Sequence, residues 1–443
     1  LKPSITAGLA VILGGLLLVW PTFLNGYPIL FSDTGAFLAQ TVQPLMIWDK
    51  PWVYGPMLHV FHWGATLWLP LLAQGLVVSH LLWLTQRVVR SGATPAAHLL
   101  LCAGLALLTA LPWVAALLMP DFLTPVATLA LFLLGCGGHA LSRRESAYLT
   151  LLATLAIAAH LSNLPIAAAL VVATAILTRA WKPLARVLAP LAMAVALLLG
   201  TNWVGHGRLS LSPYGATFML ARMIGDGTAA RTIAAECPAS GWYLCAWAGR
   251  LPTDSDEFLW LRDSPLNQDA AGNPIFLGGV RLAPEANAIV AETLRREPFG
   301  VAWAAIHNFS RQLTLAGIGD TLGRDNLGTA VRPRLEQGFG LGEVARYDAS
   351  AQNRDLLPGR AAPFLWPQGA VLLLGVVALA VMVWKLRGPP QAFALFLFVA
   401  VAANAFATGA LSKPHHRYQA RIAWLLPFGA ALLALPRGVR REG

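Results

Sequence analysis

The sequence predicts an all-α integral membrane protein of about ten transmembrane helices, with interfacial helices in the first external loop and a larger, mainly helical external domain. Three observations carry that expectation. Hydrophobic residues make up 56% of the 443 residues, charged residues 12%, and the mean hydropathy is +0.59, beyond what a water-soluble core requires. Apolar runs of spanning length recur near 5–25, 66–86, 97–118, 123–142, 147–160, 164–179, 187–204, 366–385, 391–411 and 420–436, some short of the usual ~20 residues. The third is where the +11 charge falls: Lys2, Arg87, Arg90, Arg143, Arg144, Arg179, Lys182, Arg186, Lys385, Arg387, Arg437, Arg440 and Arg441 lie at alternate ends of these runs. That is the positive-inside pattern. It makes both termini cytoplasmic, anionic lipid headgroups the counterions, and nucleic acid an unneeded partner. A bacterial inner membrane is the expected location.

The first run resembles a signal-peptide core, but no small-x-small cleavage site follows it, so it is read as a true span. The chain begins at Leu1 rather than methionine, and residues are expected before it. The organisation expected is an N-terminal transmembrane module over 1–204, containing a first external loop over 26–65, then an extracytoplasmic domain over 205–365 and a C-terminal transmembrane module over 366–443.

The first loop holds the stretch Tyr27 to Leu38 and its one carboxylate, Asp33. Ser32 and Thr34 flank it with hydroxyls able to donate to the charged form, and Gly35 permits a turn or a close approach. The competing reading is a cap, with Ser32 or Asp33 opening a short interfacial helix. Aromatic residues crowd the rest of the loop. Trp52 and Tyr54 fit an interfacial belt, or a pair of rings on which a sugar stacks. Asp49, Lys50, His59 and His62 are further parts of a site.

Asp121, in the short turn between the third and fourth runs, reads as an N-cap or as a second functional acid on the same side. Between Arg143–Arg144 and Arg179 only about 35 residues lie, yet both clusters belong on one side. The chain must therefore make a hairpin whose turn, His160 to Pro165, lies below the outer surface, against protein or an outward-opening cavity; His160 and Asn163 become candidate substrate contacts. Helices are expected in the large domain from Ser212–Pro213 to Gly225, from Pro284 to Arg296 and from Val301 to Leu315. Arg208, Tyr214 and Arg222 follow the seventh span and are placed to meet a ligand headgroup. Asp254, Asp256, Glu257, Arg262 and Asp263 read as solvated charges. Cys237 and Cys245, eight apart outside the cytoplasm, are positioned for a disulfide that would persist there; spacing alone leaves their pairing open. Cys102 and Cys136 read as buried side chains inside spans.

The last external loop contains Lys413, His415, His416, Arg417, Tyr418 and Arg421. Two histidines without a nearby carboxylate or cysteine make a poor metal site. The cations fit an anion, with arginine offering a fork for phosphate and lysine a point charge. The competing reading is snorkelling at a helix end, but this side is the one where the positive-inside rule disfavours cations. No phosphate-binding Gly-Lys-Ser loop, Gly-x-Ser-x-Gly elbow, His-Glu-x-x-His or dinucleotide fingerprint is present. ATP hydrolysis and serine-hydrolase chemistry are thereby disfavoured.

On Phe-Ser-Asp33-Thr-Gly after the first span, and on Arg417–Tyr418 with Pro427 further on, the layout resembles the C superfamily of polytopic glycosyltransferases (GT-C). That resemblance implies a catalytic acid at Asp33 and a polyprenyl-phosphate-linked sugar donor, with a lipid, glycan or protein as acceptor. Two departures stand out. Ser32 and Thr34 replace a paired-acid motif around Asp33, and His416 stands where an acid often precedes Arg-Tyr. The chemistry needs a base for the acceptor proton, Asp33, and cations for the departing phosphate, Arg417 and Lys413 with His415 or His416. One carboxylate acting directly on the acceptor implies inversion. No cofactor is required on this reading; were a divalent cation involved, Asp33 and Asp121 would be its ligands. The competing functions are a transporter or flippase of an anionic lipid-linked substrate, and a ligase or polymerase of lipid-linked glycans.

Overall fold

The structure is a computed structural model that describes residues 3–434. Lys2, Arg437, Arg440, Arg441 and the end of the last expected span lie outside the described residues. Among the described residues it is helical throughout, with no strand. Contacts divide the chain into two compact units. One comprises 1–201, 315–404 and 416–443, the other 202–314 and 405–415.

The first unit opens with α1 (Pro3–Leu18), apolar on every face, and α2 (Pro21–Asn25), where Pro21 enforces a break inside the run expected over 5–25. Two loop helices follow, α3 (Ser32–Val42) and α4 (Tyr54–His62). Next come α5 (Trp68–Val89), α6 (Pro95–Leu108) and α7 (Leu111–Ala116). α6 is started by Thr94, whose hydroxyl accepts from the Ala97 N–H at 3.3 Å, and by Pro95. The run expected over 97–118 is therefore two helices, parted at Thr109–Ala110 ahead of Pro112. A 3-10 turn over Pro120–Phe122 leads into α8 (Leu123–Gly135).

The expected hairpin is present as α9 (Arg143–Ala159) and α10 (Asn163–Thr178), joined by His160–Ser162. Ser142 and Glu145 form a reciprocal capping box at its start. Glu145 also takes an ion pair from Arg87 at 2.7 Å, which brings the basic ends of α5 and α9 together. Then comes α11 (Trp181–His206).

The second unit contains α12 (Gly215–Gly225), α13 (Thr228–Glu236), α14 (Ser255–Trp260), α15 (Gly278–Arg296) and α16 (Pro298–Thr314) around a core that includes Leu220, Ile224, Ile233, Phe258 and Ile289. α12 begins two residues after Pro213, and α15 begins six residues before Pro284. Proline there marks an interior position rather than the first turn. Cys237 and Cys245 form a disulfide.

The expected boundary at 365 moves. Residues 315–365, with α17 (Leu327–Ala330), α18 (Arg332–Gly338) and α19 (Leu341–Asp348), belong to the first unit. Buried polar groups explain this. Glu343 accepts from the Tyr27 hydroxyl at 2.7 Å and the Leu67 N–H at 2.8 Å, while Gln352 pairs in both directions with the Leu30 backbone. The unit closes with α20 (Leu357–Lys385), α21 (Pro389–Ala405), α22 (His416–Ala423) and α23 (Leu425–Ala434); α21 continues into a π-helical turn over Phe406–Ala410 that belongs to the second unit. Among the described residues, four helices are long and apolar enough to cross a membrane: Trp68–Val89, Trp181–His206, Leu357–Lys385 and Pro389–Ala410. Shorter apolar helices include Ile5–Leu18, Pro95–Leu108, Pro120–Gly135 and Asn163–Thr178.

Gly35 serves the close approach its sequence context allows. A Cβ there would lie 2.0 Å from the Ala330 carbonyl oxygen, so α3 can rest on α17 only through glycine. Gly35→Ala should cost about 1–3 kcal/mol by overpacking, read as a lower unfolding temperature of the purified protein; an unchanged temperature would mean that this contact is not made.

Candidate functional site

The candidate site lies in the first unit, where α3, the loop before α4 and α22 converge. α3 begins after extended backbone at Phe31, and its first turn is held by Thr34, not by Ser32 or Asp33. The Thr34 hydroxyl accepts from the Phe31 N–H and donates to the Leu118 carbonyl, each at 3.0 Å. Thr34 is thus a buried brace. Asp33 is left free of capping and points its carboxylate at two cations. Lys50 Nζ lies 3.2 Å from Oδ1 and Arg417 Nη2 lies 3.6 Å from Oδ2. Burial opposes the charge on Asp33, but Lys50 and then Arg417 outweigh it and hold its carboxyl below the usual carboxylate range. Lys50 is shared with Asp49 at 2.6 Å.

Arg417 is itself built into place. Its guanidinium lies over the Phe31 ring at 4.3 Å and the Tyr418 ring at 5.0 Å, and its backbone N–H donates to Asp320 at 3.1 Å. Its Nη1 is buried and has no hydrogen-bond partner among the described residues. A buried guanidinium nitrogen without an acceptor is costly.

One turn later on the same face of α22, Arg421 is fully buried and saturated. It donates to Ser162 Oγ at 2.8 Å and to Asn404 Oδ1 at 2.9 and 3.2 Å, and it pairs with Asp121 at 3.3 Å. His160 stands 3.5 Å away, its other ring nitrogen on Ser162 Oγ at 2.8 Å. Asp121 therefore caps no helix. It neutralises Arg421 and ties α22 to the 3-10 turn before α8, while the bond from Arg421 to Ser162 fixes α22 against the turn of the α9–α10 hairpin.

The other candidates fall in several places. Tyr54 is buried, donating to Gln74 at 2.6 Å, which removes its ring from any sugar; Trp52 keeps an exposed edge and donates to the Gln40 carbonyl at 3.3 Å. Asn163 is buried and consumed by Thr124 and the Ala156 carbonyl. Ser32 is half-buried beside Asp33. His416 accepts from the Gly317 N–H at 3.1 Å.

Within the second unit, Lys413 is held by Asp254 at 2.6 Å and Asp256 at 2.8 Å, and His415 meets Asp256 at 3.2 Å. The two aspartates are thus not merely solvated charges, and Lys413 and His415 already have acidic partners. Arg208 lies over the Tyr214 ring at 5.3 Å, and Arg222 is buried against Asp226 at 3.2 Å.

No protein-family model, curated protein or solved structure matches the chain. Among the described residues no group of three or more histidine, cysteine or acidic side chains is arranged for a metal ion.

Lys50 is the partner that sequence reasoning placed in the loop without giving it a role. The signal was available, since a lysine in a loop that the charge pattern reads as external is the same anomaly that drew attention to Arg417. Asn404 and Ser162 carry no such signal.

The Asp121–Arg421 pair yields a stability prediction. Arg421→Met strands a buried carboxylate and should cost about 3–5 kcal/mol, whereas Arg421→Met combined with Asp121→Leu should recover much of it. Thermal unfolding in detergent reads both. A double variant as unstable as the single one would contradict the pairing.

Proposed function

We propose that this protein is a membrane glycosyltransferase of GT-C type that moves a sugar from a polyprenyl-phosphate-linked donor to an acceptor hydroxyl, with inversion, at the extracytoplasmic face. The observation that carries the reading is one carboxylate, Asp33, set between Lys50 and Arg417, with a buried Arg417 nitrogen still lacking an acceptor. A base beside cations is what transfer from a phosphate leaving group requires. Asp33 takes the acceptor proton as the acceptor oxygen bonds to the anomeric carbon. The bond from that carbon to the phosphate oxygen breaks, and its electron pair leaves with the phosphate, which Arg417 and Lys50 neutralise.

The ion pairs make Asp33 a weak base in the resting protein. A donor phosphate competing for Arg417 and Lys50 loosens both pairs and raises the proton affinity of Asp33 when the base is needed. An apolar groove along α6, α20 and α23, lined by Leu101, Leu105, Leu108, Val371 and Pro427, suits a polyprenyl chain. It shares Thr109 and Pro427 with a smaller pocket lined by Trp424, whose indole donates to the Arg421 carbonyl at 2.9 Å. The full set of about ten spans, cytoplasmic termini, a bacterial inner membrane and an acceptor role for the second unit belong to this proposal.

A second reading, a transporter of an anionic lipid, is favoured by the buried Asp121–Arg421 pair, since intramembrane ionisable groups mark pathways. The deciding experiment is transfer of radiolabelled sugar from a panel of polyprenyl-phosphate donors by membranes containing the native protein or Asp33→Asn. Transfer that falls at least about 100-fold in the variant, within the range of general-base contributions, supports the proposal. Equal transfer by both removes Asp33 from the chemistry, and lipid movement without a new glycosidic bond points to transport. In the resting protein the depressed carboxyl stays ionised down to low pH, so kcat/KM, which reports the groups of the free protein, should not fall because of Asp33 until pH drops below its ordinary value of about 3.9. A loss centred near neutrality would assign the base to another group.

A further inference from the structure

Within the second unit, α16 is apolar on the side where a domain in water should be polar. At about 100° per residue, Phe299, Trp303, Ile306 and Leu313 form one stripe, and they are 88%, 71%, 58% and 42% exposed. The opposite side of the helix is its packed side. Asn308 presents its carbonyl so closely to Gly409 that a Cβ there would meet it at 2.6 Å. Gln312, buried, holds the His415 backbone through both ends of its amide, at 2.8 and 2.9 Å. Thus α16 is clamped to the segment 405–415, and the exposed stripe points directly away from that clamp.

The clamp identifies what covers the stripe. Residues 406–410 are the terminal π-helical turn of the apolar helix Pro389–Ala410, long enough to cross a membrane. A helix locked backbone to backbone onto the last turn of such a span lies at the level of the membrane boundary. A tryptophan and a phenylalanine facing outwards at that level, with His307 and Arg311 exposed on one flank, have the composition of a helix lying in the interface. We infer that α16 is a membrane-surface helix that inserts Phe299, Trp303 and Ile306 among lipid chains just below the headgroups. The second unit is then seated on the bilayer by its own contact, independently of whether the protein transfers sugars.

The test places an environment-sensitive nitrobenzoxadiazole probe on Trp303→Cys or Ile306→Cys, in full-length protein carrying Cys102→Ala and Cys136→Ala, at one copy per phosphatidylethanolamine–phosphatidylglycerol nanodisc. Ala271→Cys, in the exposed polar turn after Asp269, is the aqueous control. Insertion about 5–10 Å deep predicts quenching of both α16 probes by a nitroxide lipid labelled near the headgroup, at least about twofold stronger than at position 271, and protection from aqueous iodide. Iodide quenching at 303 and 306 equal to that at 271 would overturn the inference. So would protection from both quenchers, which would mean that protein covers the stripe, and so would protection that appears only at two copies per disc, which would make the occupant a second copy. Positions 303 and 306 are both exposed, so the cysteine variants are expected to fold; native elution with the Cys237–Cys245 disulfide intact checks this.

Discussion

The arrangement at the candidate site depends on the burial of Arg421. A guanidinium removed from water is tolerated only when its donors and its charge are both answered, and here Asn404, Ser162 and Asp121 answer them from three separate parts of the chain. That requirement fixes α22 in register with the α9–α10 turn. Because Arg417 is one turn earlier on the same helix, its guanidinium is delivered to Phe31 and Asp33 as a consequence. One saturated arginine is the strut, and the other keeps a buried guanidinium nitrogen without an acceptor among the described residues.

A second consequence concerns the carboxylate. Asp33 has no free place in which to act as a strong base, since Lys50 and Arg417 hold its charge. The same cations are the groups that would neutralise a leaving phosphate. On the proposed function, base and leaving-group stabilisers would be mutually engaged until a competing anion arrives, which would couple donor binding to activation of the base.

Much of this was legible in the sequence. Apolar runs gave helix positions closely, because lipid-compatible segments carry a strong and simple signal. Their interruptions at Pro21, Pro112 and Pro427 were harder to see, since a proline within an apolar run neither ends hydropathy nor declares where the chain bends. Asp33 and Arg417 were recognisable as an isolated acid and as cations on a disfavoured side. The roles of their neighbours were not. Whether an arginine is a strut or a ligand depends on partners such as Asn404 and Ser162, which are far off in sequence and common in type. Lys413 and His415 read with Arg417 along the chain, yet Asp254 and Asp256 claim them. Tyr54 failed as a sugar platform because Gln74 buries its hydroxyl. The segment 315–365 read as part of the large domain by its polarity, but Glu343 and Gln352 spend that polarity on buried groups of the first unit.

The central claim is that Arg417 Nη1 awaits a phosphate oxygen. The most direct measurement is binding of a short-chain polyprenyl phosphate to the native protein and to Arg417→Gln in nanodiscs, with the exposed Arg262→Gln as the control for nonspecific charge. The account predicts a loss of about tenfold or more, roughly 1.4 kcal/mol, for Arg417→Gln alone. Equal affinity in all three proteins would contradict it.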